Sequence, residues 1–265
     1  VASRFGISVD DVEVVHGDTG KMDFGLGTYG SRSLAVGGSA LTKAADKVVE
    51  KGRLIAAHLM QSDAEKIDFE QGEYRLRDSN EARTFQEIAF AAYVPHDFPH
   101  DDLEPGLTEK AFYDPGNFTL PAGTYICEVE VDPETGVTDI LKFTAVDDFG
   151  TIINPMIVAG QVHGGIAQGV GQALCETCIY DAEGQLQTGS FMDYCMPRAD
   201  DLPSFTVDVT STPCTHNPVG AKGCGEAGAI GSPPAVINAI TDAIGVRDIA
   251  MPATAHKVWQ AIQEV

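Results

Sequence analysis

Apolar positions recur along this chain with two different periods, and the switch between them outlines its elements. Ala40, Leu41, Ala44, Ala45, Val48, Val49, Leu54, Ile55, Ala57 and Leu59 return every three or four residues among lysines and glutamates, the spacing of one long amphipathic helix. Residues 67–76 alternate instead, about Gln71-Gly72, which predicts a small hairpin. Residues 84–93 open on Thr84-x-x-Glu87, a capping box ahead of a short helix. Two more alternating runs, 124–131 and 137–146, flank Asp132-Pro133-Glu134-Thr135-Gly136 and predict two strands joined by a tight turn. Pro155 begins an apolar helix that reaches Leu174, residues 206–209 read as a strand, and Pro233 and Pro234 start a helix with Val236, Ile237, Ala239, Ile240 and Ile244 on its apolar face. A last helix spans 253–262. At the other end, residues 2–15 read as the tail of a helix running into a strand, as though an upstream element had been cut away. Residues 95–121, rich in Pro, Asp and Gly, show no period. The expected organisation is therefore α+β, with a first two-layer α/β subdomain over 1–94, a connecting segment over 95–122 and a second subdomain over 123–265.

Composition narrows the function classes. The 265 residues are 43% hydrophobic, enough for a sizeable core, and 28 Gly with 14 Pro break the chain into short elements. Lys plus Arg total 17 against 39 Asp plus Glu, and a net charge of -22 repels a phosphate backbone and gains nothing at an anionic lipid surface. Nucleic acid and membrane are thus excluded as expected partners. No apolar run approaches the roughly 20 residues needed to span a bilayer, so a soluble, cytoplasmic location is expected. Six cysteines are too sparse to replace a core by disulfides. Cys175 and Cys178 form one CxxC with no second pair to complete a tetrahedral zinc site. His96 and His100, beside Asp101 and Asp102, are broken by Pro95 and Pro99 into what reads as a solvated acidic loop.

Three glycine-rich segments carry candidate chemistry. The first, GDTGKMDFGLGTYGSRS over 17–33, sets glycines among Thr28, Tyr29, Ser31, Arg32 and Ser33. Glycine lets backbone N–H groups approach an anion and hydroxyls add short donors, which suits a phosphate; a tight loop before the long helix explains it equally well. It matches neither a Walker loop nor a GxGxxG fingerprint. The second, GQVHGGIAQGVGQ over 160–172, places Gln161, His163, Gln168 and Gln172 among glycines, and amides suit a neutral heterocycle because each offers donors and an acceptor. Helix packing explains its glycines but not its amides. The third, NPVGAKGCGEAGAIGSPPAV over 217–236, holds Glu226 between Gly225 and Ala227. A carboxylate desolvated in such a loop makes a general base near neutral pH; the alternative is that Glu226 faces solvent or pairs with Lys222.

Taken in order, GDTxxxxFGLGTYGSRS, INPMIVxGQVHGGIAQGVGQAL and NPxGxKGxGExG resemble the C-terminal half of the molybdenum-binding large subunit of the xanthine oxidase family of molybdenum hydroxylases, nearest its carbon monoxide dehydrogenase and aldehyde dehydrogenase-like group. FYDPGNFTLPAGTYICEVEVDPETG and VDDFGTIINP resemble its connecting stretches. The resemblance implies the family's molybdenum cofactor-binding fold and a molybdenum ion held through a pterin dithiolene, with no direct protein ligand, in the molybdopterin cytosine dinucleotide form. It assigns cofactor contacts to Gly27, Thr28, Tyr29, Gly30, Ser31 and Ser33, to Gln168 and Gly169 of the AQG turn, and to Lys222 and Gly225. Glu226 matches the family's catalytic glutamate, the base that takes a proton from a water-derived oxygen as it attacks an electron-poor carbon. Further implied are hydroxylation of an aldehyde, an N-heterocycle or carbon monoxide, electron transfer to iron–sulfur clusters and FAD on partner subunits, and oligomeric association. The family's large subunit is about three times this length, so the N-terminal half of that subunit is an expected partner and a condition for activity. The alternative is a non-catalytic fragment or assembly domain that keeps the fold without metal. Lys21-Met22-Asp23, Ala159 and Cys175 depart from the family pattern, Cys175 standing where a Tyr is usual.

Overall fold

The computed structural model describes residues 1–22 and 24–264, so the Lys21-Met22-Asp23 departure falls partly outside the described residues. Contacts group the chain into two compact units: Val1–Gly27 with Val36–Asp114, and Thr28–Ala35 with Pro115–Val265. The GTYGSRS stretch from Thr28 onward therefore belongs with the second unit, whereas the sequence placed it in the first subdomain.

The first unit opens on α1 (Ala2–Phe5) and a short 3-10 turn, Val9–Asp11. The strand expected after it does not form; residues 12–16 have no regular structure, and Val14 is exposed. Alternation alone cannot make a strand without a partner to take its N–H and C=O groups. A π-helical turn, Leu34–Gly38, leads into the long helix α2 (Ser39–Leu59). The expected hairpin is β1 (Ile67–Glu70) and β2 (Glu73–Leu76), turning on Gln71 and Gly72, both at positive φ, as a two-residue turn with the right-handed strand twist requires. A third strand that the sequence reading missed, β3 (Ala82–Thr84), pairs antiparallel with β2 and runs straight into α3 (Phe85–Tyr93). The capping box is present in full: the Glu87 N–H donates to Thr84 Oγ1 at 3.2 Å, and the Thr84 N–H donates to Glu87 Oε2 at 2.7 Å. The core gathers Phe5, Val49, Ile55, Ala56, Ile67, Tyr74, Ile88 and Ala92. Gly52 of α2 is fixed by that core, because a Cβ there would lie 2.0 Å from the Tyr74 hydroxyl. Residues 95–121 contain no helix or strand.

The second unit is one sheet covered by helices. β4 (Ala122–Val131) and β5 (Thr138–Asp148) form the expected hairpin, with a bulge at Glu128 and Val129. α4 (Pro155–Leu174) follows, capped by Asn154 Oδ1, which accepts from the Ile157 N–H, with Pro155 in the first turn where its missing N–H costs nothing. β6 (Phe205–Thr210) then lies parallel to β5, Phe143 opposite Phe205, so β5, α4 and β6 make a βαβ crossover. α5 (Ser232–Ile244) and α6 (Ala255–Gln263) complete the unit. Phe143, Ala145, Phe149, Val162, Ile166, Val170, Val236, Ile240 and Val258 fill the space between sheet and helices.

Candidate cofactor site

Within the second unit, residues 28–33 of the first glycine-rich segment meet the second and third segments around the Glu226 loop. Ser31, held at φ 53° beside Gly30 at φ 58°, turns its hydroxyl to the glutamate loop. Its Oγ donates to Glu226 Oε2 at 2.8 Å and accepts the Glu226 N–H at 3.0 Å, so one side chain fixes both the backbone and the carboxylate. The approach depends on Gly223, where a Cβ would lie 1.9 Å from Ser31 O. Around Ser31, Thr28 Oγ1 and Ser33 Oγ share a hydrogen bond at 2.8 Å and the Arg32 guanidinium stacks 4.0 Å over the Tyr29 ring. Thr28, Tyr29, Gly30 and Ser33 are exposed, and Gly27, at φ 79°, has nothing within 4 Å of where a side chain would start.

The second segment meets the third along α4. Gln161 Nε2 donates to Gly225 O at 2.9 Å. Four residues on, Gly165 lies so close to the loop that a Cβ would stand 2.1 Å from Ala227 O; reciprocally, a Cβ on Gly228 would stand 2.5 Å from Val162 O. Ile157, Gln161, Gly164, Gln168 and Gln172 recur at spacings of three and four, are all exposed, and form one amide-rich stripe along the helix. Gly169 lies off this stripe, buried against Ser232 and Pro233 at the start of α5, which gives it a packing reason. His163 is exposed and meets Phe205 edge-on at 5.6 Å.

Two residues that the sequence reading did not single out hold the loop from beneath. The Tyr125 hydroxyl accepts the Gly228 N–H at 2.9 Å and donates to the Asp147 carboxylate, 2.8 Å from its nearer oxygen. Asp147 is only 4% exposed; burial pushes its carboxyl up, partly offset by the Tyr125 hydroxyl, and burial likewise pushes the Tyr125 hydroxyl up. The available signal was Asp147 in an alternating strand at an inward-facing register two residues after Ala145, a placement that a carboxylate occupies only with a partner.

Lys222 decides one open question. Its ammonium pairs with Asp148 Oδ2 at 3.2 Å rather than with Glu226. The Asp148 carboxyl is held well below the usual range by Thr212 first, through its hydroxyl and its N–H, and then by the Gly150 N–H and Lys222. Glu226 itself is exposed, so this chain does not supply the desolvation expected of its loop. The loop is pinned at the surface by Ser31 and Gln161, and its apolar neighbour Ile230 also faces outward, 71% exposed. No group of metal-ligating side chains occurs among the described residues.

Fold and site together define an α+β module in which Ser31 of the first segment and Gln161 of the second both hold the Glu226 loop of the third, with no donor set for a bare metal among the described residues. The chain belongs to the molybdopterin cofactor-binding domain family, whose model matches residues 1–203. It is 41% identical, over its whole length, to a carbon monoxide dehydrogenase large chain of Hydrogenophaga pseudoflava, covering 33% of that protein. Among solved structures, carbon monoxide dehydrogenase from Oligotropha carboxidovorans superposes with a TM-score of 0.93 at 38% identity, over 99% of this chain and 33% of that one. Quinoline 2-oxidoreductase from Pseudomonas putida 86 superposes with a TM-score of 0.85 at 37% identity, over 92% and 32%. The chain thus spans about a third of the length of the curated relatives it matches. The family model stops short of the Glu226 loop, but the relatives align through it.

Proposed function

We infer that this chain is the molybdenum cofactor-binding part of a molybdenum hydroxylase in which Glu226 is the general base. The observation that carries the reading is the double hydrogen bond between Ser31 and Glu226, with Gln161 holding the adjacent Gly225, because it joins all three segments at the one acid. The residues suit a pterin dinucleotide. The exposed hydroxyls of Thr28 and Ser33 with the backbone around Gly30 offer short donors for phosphates, and the Gln161, Gln168 and Gln172 stripe offers paired donors and acceptors for a neutral ring. When bound, the group supplies a two-electron acceptor and activates water-derived oxygen at an electron-poor carbon. The chain's own task is narrower. Ser31 donates to one carboxylate oxygen, Oε2, and so leaves Oε1 to accept a proton, while Tyr125, anchored on Asp147, fixes the loop through Gly228.

The cofactor in this reading is molybdopterin cytosine dinucleotide, and the substrate is carbon monoxide, an aldehyde or an N-heterocycle. Support for that range is that similar proteins include both a carbon monoxide dehydrogenase and a quinoline 2-oxidoreductase. Electrons would pass to iron–sulfur and FAD subunits in a cytoplasmic, oligomeric complex. Ile153, Met156 and Ile157, all more than half exposed at the start of α4, are a surface for the remainder of the large subunit to cover and so to desolvate Glu226. Stoichiometric molybdenum in the complex reconstituted with that remainder is the expected result. A properly assembled complex without molybdenum would instead make the chain a non-catalytic assembly domain.

A further inference from the structure

The helix that carries the amide stripe ends in an apolar loop that the cofactor site does not use. α4 closes at Leu174, and residues 176–197 leave it and return to it. The Gln187 N–H donates to Ile179 O at 2.7 Å, the Ile179 N–H donates to Oγ1 of the buried Thr188 at 3.1 Å, and Tyr180 bridges to Leu186. Residues 190–194 then make one tight turn. The Asp193 and Tyr194 N–H groups both donate to Ser190 O, at 3.0 and 2.8 Å, and Ser190 Oγ donates to Asp193 Oδ2 at 2.8 Å. On that turn Phe191 and Met192 stand side by side, 83% and 92% exposed. The return is fastened to the helix. The Tyr194 hydroxyl donates to Glu176 Oε2 at 2.5 Å, and Pro197 packs on Gly171, where a Cβ would lie 2.9 Å from Pro197 Cδ. Phe and Met are enriched in protein interfaces, and a turn that already holds them in place has less ordering entropy to lose when a partner covers them.

We propose that Phe191 and Met192 anchor this chain to the remainder of the large subunit. The proposal rests on the reading of the chain as part of such a subunit, and on neither the cofactor nor Glu226. Gly171 precedes Gln172 and follows Gln168 by three positions, so the fastened loop sits at the C-terminal end of the amide stripe. The exposed Ile153, Met156 and Ile157 flank its other end, roughly 30 Å away along a helix that rises about 1.5 Å per residue. A partner that closes over the stripe therefore rests on both ends. The relatives are three times as long as the stretch they share with this chain, and the rest of their length has the extent to do so. A second copy of this chain fits less well. Glu176, Asp181, Glu183 and Asp193 are the loop's formal charges, all acidic, and a net charge of -22 on each copy sets the two against each other.

Two measurements on the complex with that remainder test this. In the first, the double variant Phe191→Asp, Met192→Asp is titrated with the remainder, its circular dichroism serving to show that the fold is kept. Association should weaken by about 30-fold or more, the effect of losing central anchors. In the second, the wild-type complex is treated briefly with hydrogen peroxide and its methionine sulfoxides are located by peptide mass spectrometry. Met251 should be oxidised and Met192 spared, although within this chain they are 45% and 92% exposed. Undiminished association of the double variant, or Met192 oxidised in the complex as readily as Met251, overturns the proposal. Protection of Met192 without the remainder, growing with the concentration of this chain, assigns the surface to a second copy and overturns it likewise. Molybdenum content enters neither readout, so failure of the cofactor reading and failure of this one are separately visible.

Discussion

Replacing Glu226 by Gln is expected to abolish turnover of the reconstituted enzyme while leaving its molybdenum content unchanged. Glutamine keeps the size of the side chain and can still accept from Ser31 through its amide oxygen, so the contact that pins the loop survives. What is lost is an oxygen able to take a proton. General-base catalysis contributes roughly 10²–10⁴-fold, and a base that generates the nucleophile belongs at the top of that range. The loss should fall on kcat and kcat/KM together, because the carboxylate acts in the transition state rather than in binding. Near-normal turnover at full metal occupancy would reduce Glu226 to loop architecture.

The second large effect concerns stability. Gly228 sits at φ 84° with its missing Cβ 2.5 Å from Val162 O and 2.6 Å from Ile166 N, so Gly228→Ala combines left-handed strain with a clash against the helix backbone. Strain of this kind costs on the order of 1–3 kcal/mol and overpacking a similar amount, so a loss of about 3 kcal/mol or more is expected. Gly184→Ala is the control: its φ of 83° is nearly the same, but nothing lies within 4 Å, so only the strain remains. In thermal unfolding the Gly228 variant should melt clearly below the Gly184 variant. Equal melting temperatures would mean that the close approach of α4 and the Glu226 loop is not what holds the site together.

Local signals in the sequence located most elements. Pro155 after Asn154, the Thr84 and Glu87 box, and the alternation about Gln71-Gly72 each depend on neighbours within four residues, and each element formed where expected. Pairings across long stretches of chain were not legible. Nothing in residues 205–210 says that they lie parallel to β5, and nothing in residues 12–15 says that they lack a strand partner. The site followed the same division. Glycines, hydroxyls and amides marked the three segments, but Ser31 and Glu226 are 195 residues apart, and their mutual hydrogen bonds are a tertiary fact. Lys222 was legible as a neighbour of Glu226 in sequence, yet Asp148, with its ring of N–H donors, captures it instead. Tyr125 and Asp147 escaped notice because a strand's alternation does not reveal which buried polar group has found a partner.

The central claim is that residues 28–33, the amide stripe of α4 and the Glu226 loop form one cofactor surface. Amide hydrogen exchange, comparing cofactor-loaded with cofactor-free reconstituted complex, tests it most directly. The account predicts slowed exchange in 28–33 and 223–228 together with the start of α4, and little change in α6, whose residues make none of the site's contacts. Protection of one segment alone, or of none, would contradict it.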